Sequence, residues 1–506
     1  MNDFDAVARL RAWSTGRPLP IGRTVAWART DPAKTLVVAF VRMAGETSPW
    51  AIAWGSPGQT PRVASVPDPR RADDVRAMAM RFGRDLLARC GHPSHGQELD
   101  VSRAAIVVPG ASHIEMFHYL EYRYARARKV PDGERDEVNA FGRLCGWIFR
   151  ETHRPSQTLV LDATRALREA WAIPAEDLRQ QHLGFVLAWL TTAGDRDARA
   201  KAAELAERDA VGITLDPTVE RDDLDAHVSA WNDARKADRD APVSAAKIRA
   251  VVDEEARRRW ALAVSAWDQL QRDPRPTTPA FEQLSALTQD EYQRQWRSNE
   301  SKRLDGEDPF VPDPETDRLG SAAASRFFAH QHSAEVGDNA LLHGDPERVG
   351  RAVLAGEALL GTITSVRDEG VGRATVPVWT IETRADVPTR FREGSSVEVA
   401  RAPGRTGTLR SVEVRGAVRV LDVEITGQKT TRGGFIHAAD ASLVGASVAL
   451  LGGNMAELTR TKSFNVWKPD GPGAWLTHGQ SNPPQDRATR RPEDLVDFVE
   501  SLGGSR

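Results

Sequence analysis

Leu36–Arg42 (LVVAFVR), Trp50–Gly55 (WAIAWG) and Ala104–Gly110 (AAIVVPG) are the three runs on which the fold of this chain turns. Each is short, apolar and rich in β-branched or aromatic side chains, the pattern of a strand buried on both faces. Between the first two, Gly45 and Pro49 suit a hairpin turn, so those runs are expected to pair antiparallel. Asp73–Cys90 (DDVRAMAMRFGRDLLARC) then repeats apolar residues at helical spacing, with acids at its start where the helix dipole favours them. That spacing predicts a helix packed on the sheet. The third run passes through Ala111-Ser112-His113 into a helix to about Arg128. A second helix covers Gly133 to Thr152, and Thr158–Leu161 leads as a strand into Asp162 and a further helix.

Working outward, residues 1–175 read as an α/β domain and residues 176–297 as a helical region, carried by Asp195–Asp209, Arg221–Ala234 and Val243–Gln271. Residues 298–317 are polar, acidic and broken by Pro309, Pro312 and Pro314, which marks an exposed linker, and 318–358 read as a helical connector. Six short runs follow: Leu360–Val366, Ala374–Thr383, Ser396–Ala400, Thr406–Val412, Val418–Ile425 and Ser447–Leu451. Regularly spaced strands with Gly turns predict a small β-barrel over 359–470. Residues 471–506 form a tail whose helix, Pro492–Leu502, has Pro in its first turn and Gly503-Gly504 past its end. The expected fold class is multidomain, α/β plus β.

At 506 residues the chain is long enough for roughly two to four domains, each with its own core. Its 68 Lys and Arg balance 71 Asp and Glu, so affinity for nucleic acid has to come from local patches. Cys90 and Cys145, the only cysteines, fall in apolar helical stretches, which argues against a disulfide framework and a cysteine zinc site. Reduced cytoplasm is the expected compartment. No run of about 18 apolar residues occurs, so neither membrane spanning nor export is expected. Acyl transfer has no support, since G-x-S-x-G does not occur. A phosphate loop is also absent: Gly356-Glu-Ala-Leu-Leu-Gly361 is followed by Thr362 rather than Lys.

The order hairpin, helix, strand, helix over 36–128 resembles the RNase H-like exonuclease domain found beside helicase cores in some bacterial nuclease-helicases, a resemblance that reaches residue 190. It implies an RNase H-like α/β fold and, in an active member, carboxylates on adjacent strands holding two cations that clamp the attacking and leaving oxygens. In that family the first strand carries an Asp-x-Glu pair, where this chain has Val38-Ala39-Phe40-Val41-Arg42. The third strand and its helix correspond to Val108–Glu121, and the later acid near a Trp-Leu ending has no counterpart in Gln181–Leu190. The resemblance therefore implies a nuclease-like shape lacking the nuclease's acids. Residues 359–451, beginning Gly361-Thr-Ile-Thr-Ser-Val366, are similar to the accessory β-barrel of superfamily-1 helicases. In that family the barrel contacts nucleic acid, which here implies a helicase ATPase on a separate polypeptide.

Glu115, Glu121 and Asp162 are the acids nearest predicted strand ends, where such folds place chemistry, and are the candidates for a catalytic metal cluster. The competing roles are helix-surface positions for the glutamates and an N-cap for Asp162. His113 and His118 lie about 140° apart around a helix, unlike the shared face of H-E-x-x-H, so packing is expected; His330 and His332 have no ligand spacing either. Arg123, Arg126, Arg128 and Lys129 surround Tyr122 and Tyr124, offering phosphate contacts beside stacking platforms. Arg257-Arg258-Arg259-Trp260 is a comparable cluster. Lys462, Trp467 and Lys468, just past the six runs, are further strand-binding candidates.

The leading expectation is a nucleic-acid-associated accessory subunit, catalytically inactive and without a cofactor, working with a separate helicase or nuclease in DNA processing or defence. The alternatives are an active metal-dependent nuclease, the one reading that needs a divalent cation, and a protein-interaction scaffold that binds no nucleic acid.

Overall fold

The computed structural model of the chain describes residues 3–21, 32–90, 106–153, 157, 159–272, 342–343, 346–369, 376–400, 402, 405–426 and 441–452. The chain divides into two units, and every described residue belongs to the one formed by Met1–Gln293 and Glu335–Thr459. The expected linker 298–317, most of the connector 318–358 and the tail 471–506 lie outside the described residues.

Helix α1 (Asp3–Thr15) and the short strand β1 (Leu19–Pro20) precede the sheet. β2 (Leu36–Arg42) and β3 (Pro49–Gly55) form the expected antiparallel hairpin, in register from Val37↔Gly55 to Val41↔Ala51. Gly45 turns it with φ 78°, a conformation that favours glycine. β4 (Arg62–Ser65) adds antiparallel to β3. Helix α2 (Ala72–Arg89) is followed by β5 (Ile106–Val108), α3 (Ala111–Tyr124), α4 (Asp132–Thr152), β6 (Val160–Asp162) and α5 (Ala163–Ala170). Both β5 and β6 join parallel to β2, which gives a five-stranded mixed sheet in the order β4-β3-β2-β5-β6. β7 (Trp171–Ala172) leaves that sheet and pairs with β1.

The first six residues of β2 and of β3 are all buried, so both faces of the hairpin are covered. On one face Phe40 meets Phe82 of α2 and Phe117 of α3 edge-on, with ring centroids 6.0 and 5.6 Å apart, and Phe82 meets Phe141 of α4 in the same way. Helices α6 (Leu183–Thr191) and α7 (Arg196–Ala206), the single turn α8 (Pro217–Val219) and α9 (Asp225–Lys236) lead to α10 (Pro242–Gln271). The described part of 176–297 is helical as expected, but it is not a separate layer. α10 packs across β2, β3, β4 and β5 through a seam that includes Ala245, Ile248, Val252, Ala256, Ala263 and Ala266. Small side chains let the helix lie close to the strands, and Trp260 Nε1 donates to the Val37 carbonyl at 3.1 Å. The α/β body therefore extends well past residue 175.

β5 runs beside β2 only at Leu36 and Val37, so the later polar groups of β2 on that side need other partners. A side chain supplies the first: His113 Nδ1, in the first turn of α3, accepts from Phe40 N–H at 3.1 Å. Extended chain supplies the next, where Arg42 N–H donates to Ile213 and Leu215 N–H donates back to Arg42. The buried guanidinium of Arg259 holds that chain in place, donating to the carbonyls of Gly212 at 2.7 Å and Thr214 at 3.2 Å while paired with Glu255. The run Arg257–Trp260 is thus no strand-binding patch, because Arg259 and Trp260 point into the fold.

Helix α11 (Pro346–Leu354) and six strands form the second architecture: β8 (Ala358–Glu369), β9 (Val376–Arg384), β10 (Ser396–Val399), β11 (Thr406–Arg415), β12 (Val418–Thr426) and β13 (Ser447–Gly452). They close into an antiparallel barrel in the order β10-β11-β12-β9-β8-β13, with β10 and β13 making the closure. Alternate residues such as Ile363, Trp379, Ile381, Leu409, Leu421 and Val423 fill its interior. Bulges between Ile363 and Ser365 and between Leu409 and Ser411 bend the long strands for closure.

Among the described residues no helix is long and apolar enough to cross a membrane. Cys90 and Cys145 are free and buried, and burial pushes the Cys90 thiol up to about 12.

α4 packs closely on the end of α3, where a Cβ on Gly142 would run into the backbone of Tyr124 and Ala125. Gly142→Ala is expected to cost at least about 2 kcal/mol, since backbone cannot rotate away as a side chain can, and urea unfolding measures it.

Candidate functional site

The carboxyl ends of parallel strands are where open α/β sheets collect ligands. Here β5 leads through Pro109 and Gly110 into α3, and β6 ends at Asp162, the N-cap of α5. Between the two helix starts lies a cleft of about 280 Å³, whose lining includes Gly110, Ser112, Asp162, Arg165 and Arg168, with Val211 and Gly212 as a further wall. That wall is fixed from behind: His113 Nε2–H donates to the Val211 carbonyl at 3.1 Å, Arg259 holds Gly212, and Ser112 Oγ accepts from Ile213 N–H at 3.3 Å. With Nδ1 accepting and Nε2 donating, His113 is held neutral, and burial lowers its pKa to about 3.

The three candidate acids do not converge. Asp162 Oδ1 accepts from Arg165 N–H at 3.0 Å, an ordinary helix cap. Burial raises its pKa, opposed by the α5 amides and by the Arg165 charge. Glu121 lies on α3 over Gly146 of α4, paired with Arg150 and, at 3.5 Å, with His118. Glu115 is exposed on α3. The middle of β2 carries no acid and is filled by fully buried Phe40 and its aromatic neighbours. Among the described residues no three His, Cys, Asp or Glu side chains are grouped as metal ligands.

The basic candidates divide differently. Tyr122 is 83 % exposed at the end of α3, and Arg123, Arg126, Arg128 and Lys129 around it are exposed too. Tyr124 departs from expectation: Met116, Phe117, Leu120 and Tyr124 share the buried stripe of α3, so its ring faces inward against Phe141. Lys462, Trp467, Lys468, His330 and His332 lie outside the described residues. On the barrel, Arg367 pairs with Asp422 and Glu369, Arg410 with Glu424 and Glu369, Arg384 with Asp386 and Arg415 with Glu413. Each of these guanidiniums carries its own carboxylate, whereas Arg419 donates to the carbonyls of Val387 and Ala385.

Sequence reasoning missed Arg168 and the Val211–Gly212 wall. The first had a signal, since Arg165 and Arg168 follow an N-cap at i+3 and i+6 and so fall on one side of α5; a Val-Gly pair in a loop had none. No protein-family model, curated protein or solved structure matches the chain.

If Asp162 acts as a cap, Asp162→Ala lowers unfolding stability by about 1 kcal/mol while Asp162→Asn, which keeps the acceptor, changes it little. Equal losses in urea titrations of the two variants would contradict that role. For His113 the sign follows from its lowered pKa: the unfolded chain, titrating near 6.5, binds a proton that the folded chain refuses until about pH 3. Stability is therefore full above pH 6.5 and falls as the pH drops, by about 2 kcal/mol between pH 7 and pH 5 from this group. His113→Gln, whose amide can accept and donate in the same two directions, should flatten that slope by close to one proton.

Proposed function

We propose that this chain is a nucleic-acid-associated accessory protein: an RNase H-like layer that no longer cuts, joined to a helicase-type barrel, acting in the cytoplasm beside a separate helicase or nuclease in DNA processing or defence. The observation that carries the reading is the tip of α3, where one exposed tyrosine stands among Arg123, Arg126, Arg128 and Lys129. A flat ring beside several cations suits a single strand, whose bases stack while its phosphates meet the charges. The element order supports the nuclease-like part, since the hairpin and the three strands after it join one sheet, with β2, β5 and β6 parallel.

Glu121 and Asp162 are not free to hold a catalytic cation. Phe40 cannot ligate a cation, Glu121 is neutralised by Arg150, and the Asp162 carboxylate is engaged by the α5 amides. Within this reading the barrel contacts the partner protein, and Arg367, Arg384, Arg410 and Arg415, each already paired with a carboxylate, would release few counterions on a strand.

Fluorescence anisotropy of the full chain with labelled single-stranded DNA between 50 and 200 mM salt tests this. Binding should weaken steeply with salt. Tyr122→Ala combined with Arg123→Glu and Lys129→Glu should reduce affinity roughly 10-fold or more and flatten the salt slope by about 1.4, whereas Arg367→Glu should leave it unchanged. Binding indifferent to the α3 changes, or cleavage that appears with Mg²⁺ or Mn²⁺, would overturn the proposal.

A further inference from the structure

Among the described residues Arg168 is a cation without a counterpart. It is half-buried on the wall of the cleft between the starts of α3 and α5, its Nε is sealed from solvent, and no hydrogen bond or ion pair from a described residue reaches it. Arg165, one turn earlier on the same wall, is engaged by Glu169 at 2.9 Å, so the pair sits side by side with only one of them neutralised. An Nε–H sealed from water with no acceptor costs stability unless something binds the guanidinium.

The rest of the lining supplies donors. Gly110 caps α3 without a side chain, and the first-turn N–H groups of Ala111 and Ser112 donate to nothing among the described residues. The Ser112 hydroxyl accepts from Ile213 and keeps its own hydrogen to give. Asp162 is the one acid on the lining, and its charge is already met by the α5 amides and by Arg165. At about 280 Å³ the cleft is just below the roughly 300–1,000 Å³ of ligand pockets, a size that suits a small group such as a phosphoryl.

We propose that this cleft binds a phosphate monoester, with the Arg168 fork on one side of the phosphoryl group and the α3 amides and Ser112 hydroxyl on the other. A planar fork and a set of convergent N–H groups match tetrahedral phosphate oxygens better than a single carboxylate. Two sources present that group, a free nucleotide and the phosphorylated end of a strand. The second source rests on the nucleic-acid reading above; the first does not.

Calorimetry on the full chain with dAMP, and with dT4 bearing a 5′-phosphate or a 5′-hydroxyl, tests the site. The expected result is saturable dAMP binding that falls at least 10-fold in Arg168→Gln, is retained in Tyr122→Ala, and leaves the melting temperature of the ligand-free protein level or higher in Arg168→Gln. A phosphorylated dT4 that binds tighter than dAMP identifies a strand end as the ligand, and equal affinities identify the nucleotide. Absence of saturable binding by both dAMP and phosphorylated dT4 overturns the proposal. So does binding that Arg168→Gln leaves untouched while lowering the melting temperature, the behaviour of a structural arginine.

Discussion

The α/β layer depends on completing the hydrogen bonds of β2. This strand is the centre of the sheet, yet its parallel neighbour β5 accompanies it for only two residues. The fold closes the deficit with a histidine ring, a short stretch of extended chain and a buried arginine, and each is tied to the next. His113 bridges Phe40 to Val211, Arg42 meets Ile213 and Leu215, and Arg259 holds Gly212 and Thr214. A hydrogen-bonded neutral imidazole and a paired guanidinium are tolerable in such a place; bare polar groups are not.

The same solution shapes what lies above the sheet. Aromatic packing around Phe40 occupies the middle of β2, and His113 fixes the wall of the cleft at the strand ends. A carboxylate at Phe40 would enter a dry aromatic cluster. In the proposed reading, chemistry has given way to recognition: the cleft retains amides and an unpaired arginine, and the strand-facing surface moves to the tip of α3.

Much of this was legible in the residues. All six barrel strands and the β2–β3 hairpin appear where apolar alternation or apolar runs placed them. β4 was not, because Arg62-Val-Ala-Ser65 is an edge strand with too little buried surface to show a pattern. Two misreadings were errors of phase. Arg259 sits in a run of three arginines that resembles a basic surface, but it falls in step with Val252, Ala256, Ala263 and Ala266, the buried seam of α10. Tyr124 likewise falls in step with Phe117 and Leu120, whereas Tyr122 does not. Helical phase distinguishes them where composition fails. The Val211–Gly212 wall was beyond reach, since its position is set by partners far away in sequence.

That remoteness bears on how the protein is made. Trp260 meets the Val37 carbonyl across 223 residues, and α10 covers strands that leave the ribosome long before it does. At roughly 5–20 residues per second, the hairpin waits about 10–45 s for its cover. Throughout that interval two almost wholly apolar strands stand half-clad in the nascent chain, so rapid synthesis or chaperone protection is part of what this sheet requires of the cell that produces it.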